Sequence, residues 1–350
     1  MNSKNNLQII TEKLRVARSV ILSTHRHSDG DGLGSQVALF LALKKLGKNV
    51  RMINVDTPAK KYKFLNACAR IEIYTPETLI NSVDLALILD TNDGRLVEPL
   101  MSRLKIQANE TLFIDHHPIL AHGPLPDENS LIDTRSASTG QLCYHLLKAL
   151  GCEFDAEIAR ALYTSVVFDT QLFRYVKSDP ESHLIAADLL LWEKSPEEVH
   201  RKLFSNYSVE KLTFLMRAMN RIHFIDNGRA AFIPLRAIEF NTITVGGLDR
   251  DESGDVIDQV MNVDSIEVAA LLREDAPENG VPKLKLSLRS KGRYEVLSFA
   301  EKFGGGGHRF ASGAHLDGTF EHWQRKILEA LGQMIAQDPD STRQFRESGS

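Results

Sequence analysis

The stretch Ile21-Leu22-Ser23-Thr24-His25-Arg26-His27-Ser28-Asp29-Gly30-Asp31-Gly32-Leu33-Gly34-Ser35 sets an apolar run against an acid-rich turn. The apolar residues stop at His25, and one imidazole and two carboxylates, His25, Asp29 and Asp31, then fall close together. Gly30, Gly32 and Gly34 free the backbone between and after them, and an apolar helical pattern starts at Leu33. The stretch reads as strand, ligand loop and helix. Open α/β sheets place ligands in such loops, at the carboxyl ends of their strands, and mixed nitrogen and oxygen donors suit a borderline divalent metal. The same two aspartates could instead make a turn and cap the helix.

Downstream, residues 33–46 carry apolar side chains at Leu33, Val37, Phe40, Leu41 and Leu43 and close at Gly47, a helix with a glycine stop. Residues 49–55 read as a strand, 60–68 as a short helix, and 83–89 as a fully buried strand ending at Asp90. A short strand at 112–114 delivers Asp115, His116 and His117 just before Pro118. Ser138 or Thr139 can cap a helix through Leu150, and Asp155 another through about Thr170. Strands alternating with helices in this way predict a parallel sheet covered on both faces.

Between residues 180 and 223 the pattern turns wholly helical, with segments at 182–192, 196–204 and 209–222. From Arg229 short apolar segments at 230–235, 266–272 and 284–288 alternate with turn-rich sequence, and a helix over 320–335 closes the chain. The expected organisation is α/β: a parallel-sheet domain over 1–190, a helical linker over 191–225, a smaller α/β domain over 226–337 and a flexible tail over 338–350.

The composition of the 350 residues, 43% hydrophobic and 25% charged, is that of an ordinary globular chain. Lys plus Arg number 42 against 46 Asp plus Glu, and the formal charge of -4 supplies no bulk attraction to a long polyanion. A nucleic-acid substrate is therefore expected to be short or held locally. The polar, mixed-charge start of the chain shows no signal-peptide core, and no apolar run approaches the roughly 18 residues of a membrane span. A cytoplasmic location without membrane contact is the expectation. Cys68, Cys143 and Cys152 lack metal-knuckle spacing and read as reduced thiols.

Four acid or imidazole clusters sit where a strand or helix ends: His25 with Asp29 and Asp31, Asp90, Asp115 with His116 and His117, and Asp169. Strand ends of one parallel sheet share an edge, so the four can converge. So many carboxylates crowded without a cation would repel and pay for desolvation. Two divalent ions about 3.5 to 4 Å apart would relieve that and make a hydrolytic centre suited to phosphoesters. A second signal is Phe303-Gly304-Gly305-Gly306-Gly307-His308-Arg309, whose glycines let backbone amides approach an anion, or which is a flexible surface loop. Ser287, Arg289 and Lys291 alternate along a probable strand and would share a face, as an anion-binding wall or as a solvated basic surface.

These motifs, in this order, resemble the DHH-family phosphoesterases. The carriers are His25-x-x-x-Asp29-x-Asp31, the lone Asp90, the Asp115-His116-His117 triplet and the Asp169-Thr170 pair. Gly305-Gly306-Gly307-His308 and Ser287-x-Arg289-Ser290 resemble the associated DHHA1 domain, and the chain length is similar to that of the nanoRNase subfamily. The resemblance implies two manganese ions, with magnesium or another divalent ion as substitutes. It implies His25 and Asp29 on one metal, Asp31, His116 and Asp169 on the other, and Asp90 bridging both. Asp115 would orient the histidines and His117 would face the scissile phosphate. Arg289 and His308 would grip a remote phosphate or terminal nucleotide, with Ser287, Ser290, Gly306 and Gly307 nearby and the active site in a cleft between the domains. The implied substrates are very short RNA oligonucleotides, linear dinucleotides and 3'-phosphoadenosine 5'-phosphate (adenosine 3',5'-bisphosphate).

Two positions depart from the family pattern. His27-Ser28 stands where Asn-Pro is common, and Gln171 stands where a glycine is common. Competing readings are a RecJ-like single-strand exonuclease, an inorganic pyrophosphatase, and a nucleotide sensor that binds without cleaving. Against the first, no basic tract lines up to follow a backbone. Apolar residues in the helical connection could serve a domain interface or a homodimer.

Overall fold

Residues that alternate between two buried faces build the first sheet. Val20, Leu22, Val50, Met52, Leu85, Leu87, Leu112 and Ile114 pack into one core, while Ile21, Ile53, Ala86, Ile88 and Phe113 pack into another on the opposite side. Burial on both faces is the condition of a parallel sheet. The computed structural model describes residues 3–120, 123–237, 253–278 and 280–337. It divides into two compact units, Met1–Asn206 and Tyr207–Ser350. The division falls inside the segment read from sequence as a helical connection. The tail over 338–350 lies outside the described residues.

The first unit holds β1 (Ser19–Thr24), β2 (Asn49–Asn54), β3 (Ile71–Ile73), β4 (Val83–Leu89), β5 (Ala108–Asp115) and β6 (Leu131–Ile132). Every pairing is parallel, in the order β3-β2-β1-β4-β5-β6. The order reverses between β1 and β4, so the chain leaves these two neighbours toward opposite margins. That is the switch point at which doubly wound sheets bind ligands. Its helices are α1 (Ser3–Val16), α2 (Gly30–Lys45), α3 (Leu100–Gln107), α4 (Thr139–Ala149), α5 (Ala156–Asp169), α6 (Glu181–Leu189) and α7 (Pro196–Phe204).

Helix α2 starts three residues earlier than its apolar pattern, because Asp29 caps it: its Oδ1 accepts from the Asp31 and Gly32 amides at 2.9 and 3.2 Å. The glycines therefore lie within the helix, and their role is close packing more than loop freedom. A Cβ on Gly30 would meet the Phe168 ring at 2.5 Å, and one on Gly34 would meet the Ala161 carbonyl oxygen at 2.5 Å. Both contacts are with α5, so α2 and α5 touch along a glycine seam. Residues 60–68, expected as one short helix, form two 3-10 turns, Lys60–Phe64 and Asn66–Arg70. The polar start of the chain forms α1, which buries Ile10 and Leu14 at helical spacing on the first core.

The second unit comprises α8 (Val209–Met219), β7 (His223–Ile225), β8 (Ala230–Leu235), α9 (Ser253–Val260), β9 (Val268–Glu278), β10 (Val281–Ser290), α10 (Leu297–Glu301), β11 (Gly306–His308), β12 (Ala311–Asp317) and α11 (Phe320–Ala336). Its sheet runs β11-β12-β10-β9-β8-β7, antiparallel except for the β8–β9 pair. Leu284, Leu286 and Leu288 pack with Phe299, Ile327 and Leu331 of α10 and α11 on one face. On the other face, Ile233, Ala269 and Leu271 pack with Phe214 and Leu215 of α8 and Val256 and Ile257 of α9. The glycine run thus ends in an edge strand and not in a loop. A Cβ on Gly305 would meet the Gly313 carbonyl oxygen at 2.1 Å, so the hairpin itself demands a glycine there. Among the described residues, no helix is long and apolar enough to cross a membrane.

Candidate metal centre

The carboxyl ends of β1, β4 and β5 and the facing ends of α2, α4 and α5 bring eight ionisable side chains together. Strand β1 delivers His25, whose Nε2 lies 3.3 Å from Asp90 Oδ2 at the end of β4. Strand β5 delivers His116, whose Nε2 lies 3.6 Å from Asp31 Oδ2, 3.8 Å from Asp90 Oδ1 and 3.3 Å from Asp169 Oδ2. Three groups of donors each fit within 4.8 Å: His25, Asp29 and Asp90; Asp31, His116 and Asp169; and Asp90, Asp115, His116 and His117. Asp90 and His116 each belong to two of them.

The ring nitrogens are oriented by main-chain carbonyls. His25 Nδ1 sits 2.8 Å from the Arg26 oxygen and His116 Nδ1 3.3 Å from the Ser136 oxygen. A carbonyl only accepts, so each Nδ1 carries a proton and each Nε2 is turned toward the carboxylates, the orientation a metal-binding imidazole needs. Asp115 is buried, and its carboxylate is taken up by hydrogen bonds from its neighbours. It accepts from the His116 amide at 2.8 Å, from Asn92 Nδ2 at 2.7 Å and from His117 Nδ1 at 2.7 Å, which fixes the half-exposed His117 ring.

The carboxylates are held in an environment that disfavours their charge. Burial pushes Asp31 up to about 6, with Asp29 adding repulsion against hydrogen bonds from Ser165 and the Thr139 amide. Burial, then the charges of Asp31, Asp29, Asp115 and Asp169, raises Asp90 well above the usual range. Asp169 is raised likewise by burial and by Asp31 and Asp29. Burial opposes the charge on His117, but its hydrogen bond to Asp115 and the surrounding carboxylates outweigh that and raise it. Oxygen donors kept uncomfortable as anions, beside imidazole lone pairs, are what divalent cations stabilise, so the residues fit such ions.

Several residues that hold this cluster carry no motif signal. The Thr139 and Gly140 amides, at the start of α4, donate to Asp31 at 2.8 and 3.1 Å, and Thr139 Oγ1 donates to Asp90 at 3.1 Å. Ser165 Oγ also donates to Asp31. Ser165 lies one helical turn before Asp169, a spacing that places both on one face of α5 and could have flagged it. Gln171 and the two residues after it adopt φ of 47, 61 and 64°, the left-handed region that a glycine enters freely. His27 has φ 58°, is exposed, and gives its amide to Asp56 Oδ2 at 2.6 Å.

In the second unit the six expected residues divide. Pairing places Arg289, Ala311 and His308 in one row across three strands and Ser287, Gly313 and Gly306 in the next, all on one face. Gly307 instead falls in the row of Ser312 and Leu288, whose side chains are buried on the other face. Ser290 turns its hydroxyl into its own turn, accepting from the Gly292 and Tyr294 amides at 3.2 and 3.3 Å. Lys291 lies beyond β10 and donates to the Val263 and Asp264 carbonyls at 2.6 and 2.9 Å, so it does not extend the row. Arg289 Nε is 3.3 Å from Asp258 of α9.

Residues 19–166 match the DHH family, N-terminal domain, and residues 239–337 match the DHHA1 domain. A Thermus thermophilus protein named bifunctional oligoribonuclease and PAP phosphatase NrnA is 30% identical over 330 residues, 93% of each chain. The chain belongs to the DHH family. This DHH protein is also 24% identical over 302 residues to the Bacillus subtilis protein of the same name, covering 85% of this chain and 89% of that one. Among solved structures, an exopolyphosphatase-related protein from Bacteroides fragilis shares its fold with a TM-score of 0.84 at 23% identity, covering 94% and 96% of the two chains. The Thermus thermophilus exonuclease RecJ, solved with Mn2+, has a TM-score of 0.57 at 16% identity and covers 96% of this chain and 55% of that one. DHH phosphoesterases are hydrolases.

Proposed function

We propose that this DHH protein is a two-metal phosphodiesterase that hydrolyses very short RNA oligonucleotides, and linear dinucleotides, to mononucleotides, and that it also removes the 3'-phosphate from 3'-phosphoadenosine 5'-phosphate. The observation that carries this reading is the interlocking of the donor groups through Asp90 and His116, which suits two adjacent cations sharing a bridging carboxylate. His25 and Asp29 would hold one cation, Asp31, His116 and Asp169 the other, with Asp90 between them. Bound there, the pair would neutralise charge on a phosphoryl group and lower the pKa of an attacking water. His117, fixed by Asp115, presents a half-exposed ring able to donate to a phosphoryl oxygen. Manganese is the ion we assign, since the carboxylate-rich donor set suits it and RecJ, which shares the fold, is solved with it.

The paired rows Arg289–Ala311–His308 and Ser287–Gly313–Gly306 offer a guanidinium, an imidazole and a hydroxyl over a floor of small residues. Such a face can hold one terminal phosphate but cannot track a long backbone, and the net charge of -4 adds no general attraction. The relatives are named oligoribonuclease and PAP phosphatase, which supports the oligonucleotide and bisphosphate parts of this reading.

The test is product analysis on RNAs from two to ten nucleotides and on the bisphosphate, with manganese, magnesium or chelator. Fastest cleavage at the short end with manganese is expected. A strong preference for chains longer than about ten nucleotides, as for a processive single-strand enzyme, would overturn the assignment.

A further inference from the structure

The turn from Asp133 to Gly140 supports three members of the cluster at once. The Ser136 carbonyl faces His116 Nδ1 at 3.3 Å, the Thr139 hydroxyl reaches Asp90 at 3.1 Å, and the Thr139 and Gly140 amides reach Asp31 at 2.8 and 3.1 Å. A displacement of this turn therefore misaligns His116, Asp90 and Asp31 together. Its own attachments are the Asp133 amide on the Asp115 carbonyl at 3.0 Å, the Ser136 amide on the Asp133 carbonyl at 3.1 Å and the Ala137 amide on Gln141 Oε1 at 2.6 Å. The outward side of residues 134–136 also carries Arg135, whose amide and Nε donate to the Asp133 carboxylate at 3.1 and 2.9 Å.

Lys177 reaches that side from the segment after α5. Its Nζ donates to the Thr134 carbonyl at 2.8 Å and to the Ser136 carbonyl at 2.6 Å. The Ser136 oxygen thus receives the ammonium on one lone pair and faces the His116 ring with the other. Lys177 and Ser178 adopt φ of 50 and 58°, the left-handed region that residues with side chains seldom occupy. Strain of this kind persists where surrounding contacts over-determine it, and the two carbonyl contacts are the ones at hand.

We propose that Lys177 is a positioning residue of the metal centre: its ammonium clamps the Thr134 and Ser136 carbonyls so that the Ser136 oxygen holds the His116 Nδ1 proton and leaves Nε2 aimed at the cations. It touches no reacting atom. The contribution is to the tautomer and ring orientation of one ligand and to the placement of the turn that holds two more. The inference rests on His116 being a metal ligand.

The test compares Lys177→Met, Lys177→Arg and His116→Ala in the full chain, using manganese titration by calorimetry and nitrogen-15 spectra of the metal-free histidines. Lys177→Met is expected to weaken manganese binding about 10- to 100-fold, the usual effect of losing an outer partner of a ligand. The His116 ring should pass from a single Nδ1–H tautomer to a mixture. Lys177→Arg, which keeps a charged donor, should recover most of the affinity. Should Lys177→Met fail to fold, Lys177→Gln, shorter and uncharged, takes its place. Manganese affinity within about twofold of the parent with an unchanged tautomer overturns the proposal, as does a rise in KM for short RNA at saturating manganese with affinity intact, which would make Lys177 a substrate contact. If His116→Ala binds manganese as tightly as the parent, the metal reading itself fails. Loss in His116→Ala but not in Lys177→Met sinks the clamp alone.

Discussion

Asp90 occupies the left-handed region at φ 61°, at the point where β4 ends and its amide still pairs with the Ile114 carbonyl at 2.9 Å. The backbone turn throws its carboxylate between the two donor groups, and both the conformation and the buried charge cost stability. Asn tolerates left-handed backbone and Ala does not. Asp90→Asn should therefore lose turnover by at least about 100-fold, beyond the usual cost of an outer-shell change, while its chelated form melts higher than the parent's. Asp90→Ala should lose as much activity and melt below Asp90→Asn. Parallel rate assays and thermal melts in chelator decide it, and comparable activity in either variant would refute the bridging role. His27 departs from the family pattern in sequence, with no role assigned to it there. The structure ties its backbone to Asp56, a long-range contact that no local pattern could announce.

At the scale of elements, the glycine seam joins the helix bearing Asp29 and Asp31 to the helix bearing Asp169. A methyl group at Gly34 would sit 2.5 Å from the Ala161 carbonyl oxygen, a backbone atom that cannot rotate away. Gly34→Ala should cost roughly 1 to 3 kcal/mol by overpacking and weaken manganese binding as well, since it separates the ligands. Gly47→Ala makes the control: its φ is +75° with nothing within 4 Å, so it should cost about 1 kcal/mol and leave the affinity alone. Melting curves with and without metal separate the two. The apolar strands β1, β2, β4, β5, β8, β9 and β10 and the ends of α4, α5 and α7 were legible because caps and apolar runs are local signals, Ser138, Asp155 and Pro196 among them, whereas the short strands β3, β6, β7 and β11 and the alternating β12 gave no such run. The start of α2 was not, because the apolar pattern begins a turn after the cap. Nor was the split of the six residues in the second unit: Ser290 and Gly307 are set apart by strand register, which depends on partners more than twenty residues away in β9 or bound by hairpin geometry to β12.

For the whole molecule, the crowded carboxylates couple stability to pH and metal with a definite sign. Asp31 rises from 3.8 to about 6 on folding, and Asp90 and Asp169 are also raised well above the usual carboxylate range by burial and neighbouring carboxylates. The folded chain then binds more protons than the unfolded one above about pH 4, so the contribution of these groups is present at low pH and is lost as pH rises through the folded values. Chelated protein should lose melting temperature from pH 5 toward pH 7.5, Asp31→Asn should lose less over the same range, and manganese should restore the parent most at the upper end. A profile with no such difference between parent and Asp31→Asn would contradict the assignment. The reversal of strand order between β1 and β4 carries a last consequence. Every donor named above comes from an element that begins or ends near this central pair, whereas the connections around β2 and β3 run out at one margin. Descendants of such a chain can lengthen or trim those outer connections freely, so what enters the site can drift over generations while the hydrolytic machinery stays put.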